Sequence, residues 1–205
     1  MTEKNVQTLI VASKNPGKLR EIRELMAEFD LRVRSLADYP GHPEIVEDGG
    51  SFEENAAKKA LTISRWTEGL VMGEDSGLEV DALEGRPGIY SARYSGEGAT
   101  DESNNQLLLR ELNDVPQEKR TARYRCAVVL SRGADILVSV EGTCEGAIAP
   151  EPAGSNGFGY DPLFFLPQYG RTFGQLDPQI KAQISHRAEA VNKFKDALRA
   201  VLPAC

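Results

Sequence analysis

The chain of 205 residues has few of the residues that usually build metal centres or covalent staples: three cysteines and two histidines. Cys126, Cys144 and Cys205 are an odd set with no CxxC pair, and no zinc-ligand spacing occurs. A disulfide framework and a structural zinc site are both disfavoured. Cys126 lies on the apolar phase of TARYRCAVVLS with Ala122, Tyr124, Val128 and Leu130, and reads as a reduced thiol inside a core strand. No apolar run approaches the roughly 18 residues that span a bilayer. The start, MTEKNVQTLIVAS, returns to polar residues too soon for a signal peptide. A cytoplasmic location with no membrane partner is expected. Positive charge is also short, with a formal net charge of −7. A nucleic-acid-binding module needs clustered Lys and Arg, so no nucleic-acid partner is expected. A small phosphate ligand is not excluded, because it responds to the local field of a cleft.

What remains is a mixture of helical and extended patterns of ordinary globular composition, without repeats or low-complexity tracts. The run 8–12 (TLIVA) reads as a buried strand. Asn15-Pro16 then supplies an N-cap and a first helical proline, and Leu19, Ile22, Leu25, Met26 and Phe29 continue at helical spacing. Residues 31–36 alternate as a second strand. Ser51-Phe-Glu-Glu54 is a capping-box sequence opening a helix that should end near Gly69. Residues 70–73 read as a strand, Glu74-Asp75-Ser76-Gly77 as a turn, and 78–80 as a second extended piece. The glycine-rich stretch 81–100 reads as a long loop. Thr100 starts a helix packed through Leu107, Leu108 and Leu112. Residues 120–131 and 136–148 read as antiparallel strands joined at Gly133-Ala134-Asp135. A second irregular stretch covers 149–161, Asp177-Pro178 opens a short helix, and a last helix from about His186 buries Val191, Phe194, Leu198 and Val201. The class is α/β with a mixed sheet.

Five segments carry polar chemistry. Ser13-Lys14-Asn15-Pro16-Gly17-Lys18 joins a buried strand to a helix start, where amide donors and two ammonium groups suit an anion. It lacks the Walker A pattern, and by itself also fits plain surface. Glu47, Asp48, Glu53, Glu54, Glu74 and Asp75 are acidic. Hard oxygen ligands suit Mg²⁺, which takes one or two carboxylates and fills its other positions with water and phosphate. Glu53 and Glu54 can equally serve their own helix start. Asn55 and Lys59 share a helix face, with Lys58 beside them. Gly154-Ser-Asn-Gly-Phe-Gly-Tyr-Asp161 is a glycine-rich loop whose aromatics could stack on a base, or simply a turn. Ser185-His186-Arg187 offers several hydrogen-bond donors at a helix start.

Together these segments resemble the inosine triphosphate pyrophosphatase family, the non-canonical purine triphosphate pyrophosphatases. The stretches that carry the resemblance are ASKNPGKLREI, SFEENAAKKA, EDSGLEVDALEGRPGIYSARYSG, PAGSNGFGYDPLFF and QISHR, in the family's order, between residues 10 and 187. The resemblance implies a single domain over 1–205 with two lobes, a long curved mixed β-sheet flanked by helices, and an active-site cleft between the lobes. It implies a homodimer and Mg²⁺-dependent hydrolysis of inosine, deoxyinosine and xanthosine triphosphates to monophosphate and pyrophosphate. Carried onto this chain, Ser13, Lys14, Asn15, Pro16, Gly17 and Lys18 would hold the triphosphate. Asp75 would be base and metal ligand, Glu47 a second metal ligand, and Lys59 a phosphate partner. Ser76 would touch substrate. Phe158, Gly159, Tyr160, Asp161, Lys181, His186 and Arg187 would surround the base. Glu74 stands where many relatives have Asp, and Asp-Gly-Gly follows Glu47, so the choice between Glu47 and Asp48 stays open. Two rival functions remain: a pyrophosphatase of similar fold acting on modified pyrimidine or methylated nucleotides, and a non-catalytic nucleotide-binding protein.

Overall fold

A computed structural model describes residues 6–201; residues 1–5 and 202–205, Cys205 among them, lie outside the described residues. Seven strands form one mixed sheet in the order β2-β1-β3-β4-β5-β6-β7. The chain divides into two compact units. The first holds the chain up to Asp75, Ala127–Glu141 and the segment from Ala190 onward; the second holds Ser76–Cys126 and Gly142–Glu189.

In the first unit β1 (Gln7–Val11) pairs in parallel with β2 (Leu31–Ser35) and with β3 (Leu70–Val80). Parallel neighbours need a crossover, and α1 (Pro16–Leu25) supplies the one between β1 and β2. It stops before Phe29, sooner than the periodicity suggests; Met26 caps it and Phe29 closes a turn onto the Met26 carbonyl. α2 (Phe52–Thr67) buries Phe52, Asn55, Ala56, Lys59, Ala60, Ile63 and Ser64, a helical stripe that includes three polar residues. Its start departs from a reciprocal capping box. Ser51 accepts from the Glu54 amide at 3.1 Å, but the Glu54 carboxylate takes the Gly50 amide at 2.7 Å. Its end is set by Glu68, left-handed at φ 54°, and not by Gly69. α2 lies directly on β3 at Gly73, where a Cβ would stand 2.0 Å from the Ala56 carbonyl oxygen. Only glycine permits that approach, and it sets Asn55 and Lys59 beside the carboxylates of β3.

β3 is also the largest departure from the sequence expectation. Glu74-Asp75-Ser76-Gly77 is not a turn; it is the middle of one 11-residue strand. The two extended pieces are one element.

In the second unit, α3 (Asp101–Glu111) is opened by Thr100, whose hydroxyl accepts from the Ser103 amide, and it buries Asn104 and Leu108. β4 (Thr121–Arg132) and β5 (Asp135–Ile148), whose stretch Ala127–Glu141 belongs to the first unit, are neighbours joined by Gly133-Ala134, a connection short enough only for antiparallel strands. Two strands had no sequence expectation: β6 (Phe164–Leu166), antiparallel to β5, and β7 (Arg171–Thr172), antiparallel to β6. The stretch 81–100 is not featureless, since Asp81–Leu83 and Gly88–Arg93 form 3-10 turns. α4 (Pro178–Ile184) starts as expected, with Asp177 accepting from the Gln179 amide. α5 (His186–Val201) belongs to the first unit from Ala190 onward and there buries Val191, Phe194 and Leu198, whereas Val201 is only half-buried. Leu78, Leu108, Tyr124, Tyr160, Phe164 and Phe173 form the centre of this unit's core.

Candidate active site

The first unit gathers charge around the buried face of α2. Lys59, 6% exposed, sits 2.8 Å from Asp75 Oδ1 and 2.9 Å from a Glu47 carboxylate oxygen, and its ammonium also donates to the Glu74 carbonyl at 3.3 Å. Asn55 Nδ2 donates to Asp75 Oδ2 at 3.2 Å, while Asn55 Oδ1 accepts from the Gly49 amide at 2.9 Å. That second bond fixes which way the amide points. Lys18 pairs with the buried Glu74 carboxylate at 2.9 Å. Burying an ammonium pulls its pKa down, but the Asp75 and Glu47 carboxylates outweigh this and hold Lys59 above its ordinary value. Lys59 is therefore charged at every physiological pH. Asp48 does not join the group: it is exposed and pairs with Lys58 at 2.5 Å. Of the two acids only Glu47 shares Lys59 with Asp75.

The 13–18 segment differs from a bare anion loop. Asn15 Oδ1 already accepts from the Gly17 and Lys18 amides at 2.9 and 3.1 Å, and Ser13 Oγ accepts from the Asn15 amide. The cap spends the first-turn donors, so positive charge here comes from side chains. Lys18 is turned to Glu74, while Lys14, Asn15 and Pro16 are exposed. Lys14 lines a separate open cavity of about 430 Å³ with Tyr39 and His42.

The second unit gathers the remaining candidates. Asp161, 2% exposed, accepts from the Lys181 ammonium at 2.5 Å and from the Phe158 amide at 2.9 Å. The loop must turn sharply for this. Gly157 has φ +80°, and a Cβ there would stand 1.8 Å from Asp161 Oδ2. The Phe158 ring is flanked by cations, with Lys181 Nζ 5.0 Å and the Arg187 guanidinium carbon 5.6 Å from its centroid. Arg187, 1% exposed, donates to Ser76 Oγ at 3.0 Å. The His186 ring stacks on Tyr124 at 4.5 Å. Tyr160 is buried and donates to the Ser91 carbonyl at 2.8 Å.

Tyr124 was hidden in the sequence, where its apolar phase reads as core. Its ring supports His186 and its hydroxyl reaches Asp161 at 3.5 Å. Burial pushes its phenol well above the ordinary range, and the Asp161 charge adds to this, so the hydroxyl stays a donor. Its partners lie far away along the chain, and no local pattern signals them.

The Ham1 family model matches residues 9–197. A dITP/XTP pyrophosphatase from Shouchella clausii is 49% identical over 195 residues, covering 95% of this chain and 98% of that protein. A dITP/XTP pyrophosphatase from Geobacillus kaustophilus is 48% identical, with 93% of this chain and 94% of that protein covered. Among solved structures, a HAM1 protein from Coxiella burnetii superposes with a TM-score of 0.86 at 36% identity, covering 95% of this chain and 99% of that one. The Staphylococcus aureus Ham1 protein gives 0.85 at 36% identity, covering 96% of this chain and 100% of that one. With the family model spanning nearly the whole chain, and sequence relatives and solved structures agreeing over the same length, this chain belongs to the Ham1 family.

Proposed function

We propose that this chain hydrolyses non-canonical purine nucleoside triphosphates, those of inosine, deoxyinosine and xanthosine, to the monophosphate and pyrophosphate. The observation that carries it is Lys59, a buried ammonium held between Glu47 and Asp75 on the buried face of α2. Desolvated charge of this kind is expensive as mere architecture and is common where reacting groups are tuned. The names of the relatives, dITP/XTP pyrophosphatases, support the same substrate class.

Each set of residues has a share in the chemistry. Lys18 and Lys59 bring positive charge to the phosphates and to the departing pyrophosphate. Asp75, steadied by Asn55 and Lys59, orients the attacking water and takes its proton. A carboxylate is a weak base, so most of the acceleration comes from charge neutralisation. Phe158 stacks on the purine. His186 and Arg187 donate to the 6-carbonyl, which hypoxanthine and xanthine have and adenine lacks. A buried donor left facing an amino group costs about 1–3 kcal/mol, so several donors reject adenine strongly.

Among the described residues no group of three or more His, Cys, Asp or Glu is arranged to hold a metal alone. Magnesium does not need one: two carboxylates, with water and substrate phosphate completing the shell, suit it. Glu47 and Asp75 already converge on one cation, Lys59, and fit that role. When bound there, the ion would polarise the phosphate oxygens. A homodimer and a cytoplasmic location belong to the same proposal; the first rests on the family resemblance and the second on the sequence pattern. No helix of the described residues is long and apolar enough to cross a membrane.

The test is product analysis. Inosine triphosphate, incubated with the protein and Mg²⁺, should give inosine monophosphate and pyrophosphate, and should give neither when the ion is chelated. Inosine diphosphate and phosphate as products would reject the proposed cleavage site. Binding without turnover would favour a nucleotide-binding protein.

A further inference from the structure

We infer that Asp101 and Asn105, one turn apart on α3, are positioning residues that hold the Phe158 loop for the purine base. The inference rests on the function proposed above. Gly159 follows Phe158, and both of its backbone polar groups go to α3 side chains. Its amide donates to Asp101 Oδ2 at 2.7 Å, and its carbonyl accepts from Asn105 Nδ2 at 3.0 Å. On the other side, the Phe158 amide is taken by Asp161. The ring is thus fixed by hydrogen bonds on the peptide units before and after it.

At Gly159 packing does little of this work, although Gly157 lies tight against Asp161. A cavity of about 350 Å³ lies against the same loop, lined by Asp101, Asn105, Ser155, Gly157, Phe158 and Gly159. Next to a void, a glycine loop has little to resist displacement, so its directional bonds decide where it rests. Gly159 has φ +65° and no atom within 4 Å of a would-be Cβ, so the backbone there is not wedged in place either. Asn105 has no competing role, because its Oδ1 is buried without a hydrogen-bond partner among the described residues. α3 is a firm base for the clamp. Asn104 accepts from the Ser95 amide at 2.8 Å and donates to the Ser91 and Ala92 carbonyls. The Tyr160 hydroxyl meets the same Ser91 carbonyl.

The clamp acts on the base and leaves the phosphates alone. Loss of a bond to a charged acceptor allows the ring to wander, and weakens base binding by about 10-fold or more. Asp101→Ala and Asn105→Ala are compared with wild type by steady-state kinetics on inosine triphosphate, by product inhibition and by melting. The KM should rise about 10-fold for Asp101→Ala and about 3-fold for Asn105→Ala, whose lost bond is between neutral groups, with kcat within about 2-fold. Inhibition by inosine monophosphate should weaken equally, inhibition by pyrophosphate should not change, and Asp101→Asn, which keeps an accepting oxygen, should restore most of the loss. Unchanged KM and monophosphate inhibition in both alanine variants would overturn the inference. So would parallel losses in kcat, pyrophosphate inhibition and melting temperature, the signature of general damage. Wild-type protein that releases no pyrophosphate would instead remove the proposed function, and the inference with it.

Discussion

Replacing Lys59 with methionine removes one charge and keeps most of the volume of a buried side chain. The structure sets the size of the effect. Lys59 is the only side-chain cation that contacts Asp75 among the described ion pairs, at 2.8 Å, and Asn55 is left as its remaining side-chain partner. Breaking a buried pair from one side costs about 3–5 kcal/mol. Glu47 is partly exposed and water will cover its share, so the lower figure is expected, about 3 kcal/mol or roughly a 10 °C fall in melting temperature for a chain of this size. The pH dependence carries the sharper signature. In wild type the folded-state pKa of Lys59 is raised, so its contribution is fully present below the ordinary lysine value of 10.5 and is lost as pH climbs through the higher folded value. In the variant the sign reverses. Without the ammonium the buried Asp75 charge is uncompensated, so the variant's deficit should be larger at neutral and alkaline pH than in acid. Chemical denaturation of both proteins at pH 5, 7 and 8.5 measures this. A penalty below about 1 kcal/mol that does not change with pH would show that the ammonium and the two carboxylates do not form the buried set described here.

Other perturbations separate recognition from chemistry. Arg187→Ala removes the guanidinium that holds Ser76 and flanks Phe158. The ratio of kcat/KM for inosine over adenosine triphosphate should drop at least ~10-fold, as one buried donor implies, and an unchanged ratio would reject a role in base choice. Gly157→Ala forces a Cβ against Asp161 at a positive φ. It should raise KM for inosine triphosphate and lower stability by about 1–3 kcal/mol, read from substrate titration and urea unfolding.

Much of the framework was legible because local chemistry agrees with tertiary structure at those points. Asn15-Pro16 and Asp177-Pro178 do open helices, and Gly133-Ala134 does join two long strands. β3 was not legible. Asp-Ser-Gly is turn chemistry in isolation, yet strand pairing in the sheet overrides it. β6 and β7 are too short to show a period. The charged set was partly visible, since Asn55 and Lys59 share a face by spacing alone. Their burial was not, because it depends on how closely α2 lies against Gly73. The 13–18 loop misled in the opposite sense: the residue that marks the helix start, Asn15, also consumes the amides expected to bind an anion.

The most direct measurement concerns Asp75→Asn. The substitution keeps the size of the side chain and abolishes its capacity to accept a proton. It also sets an amide donor against either Lys59 or Asn55, so turnover should be normalised to the folded fraction. Pyrophosphate release from inosine triphosphate should fall at least ~100-fold while binding of the nucleotide is largely retained. Turnover close to wild type would contradict the assignment of Asp75 as the base and the site built around it.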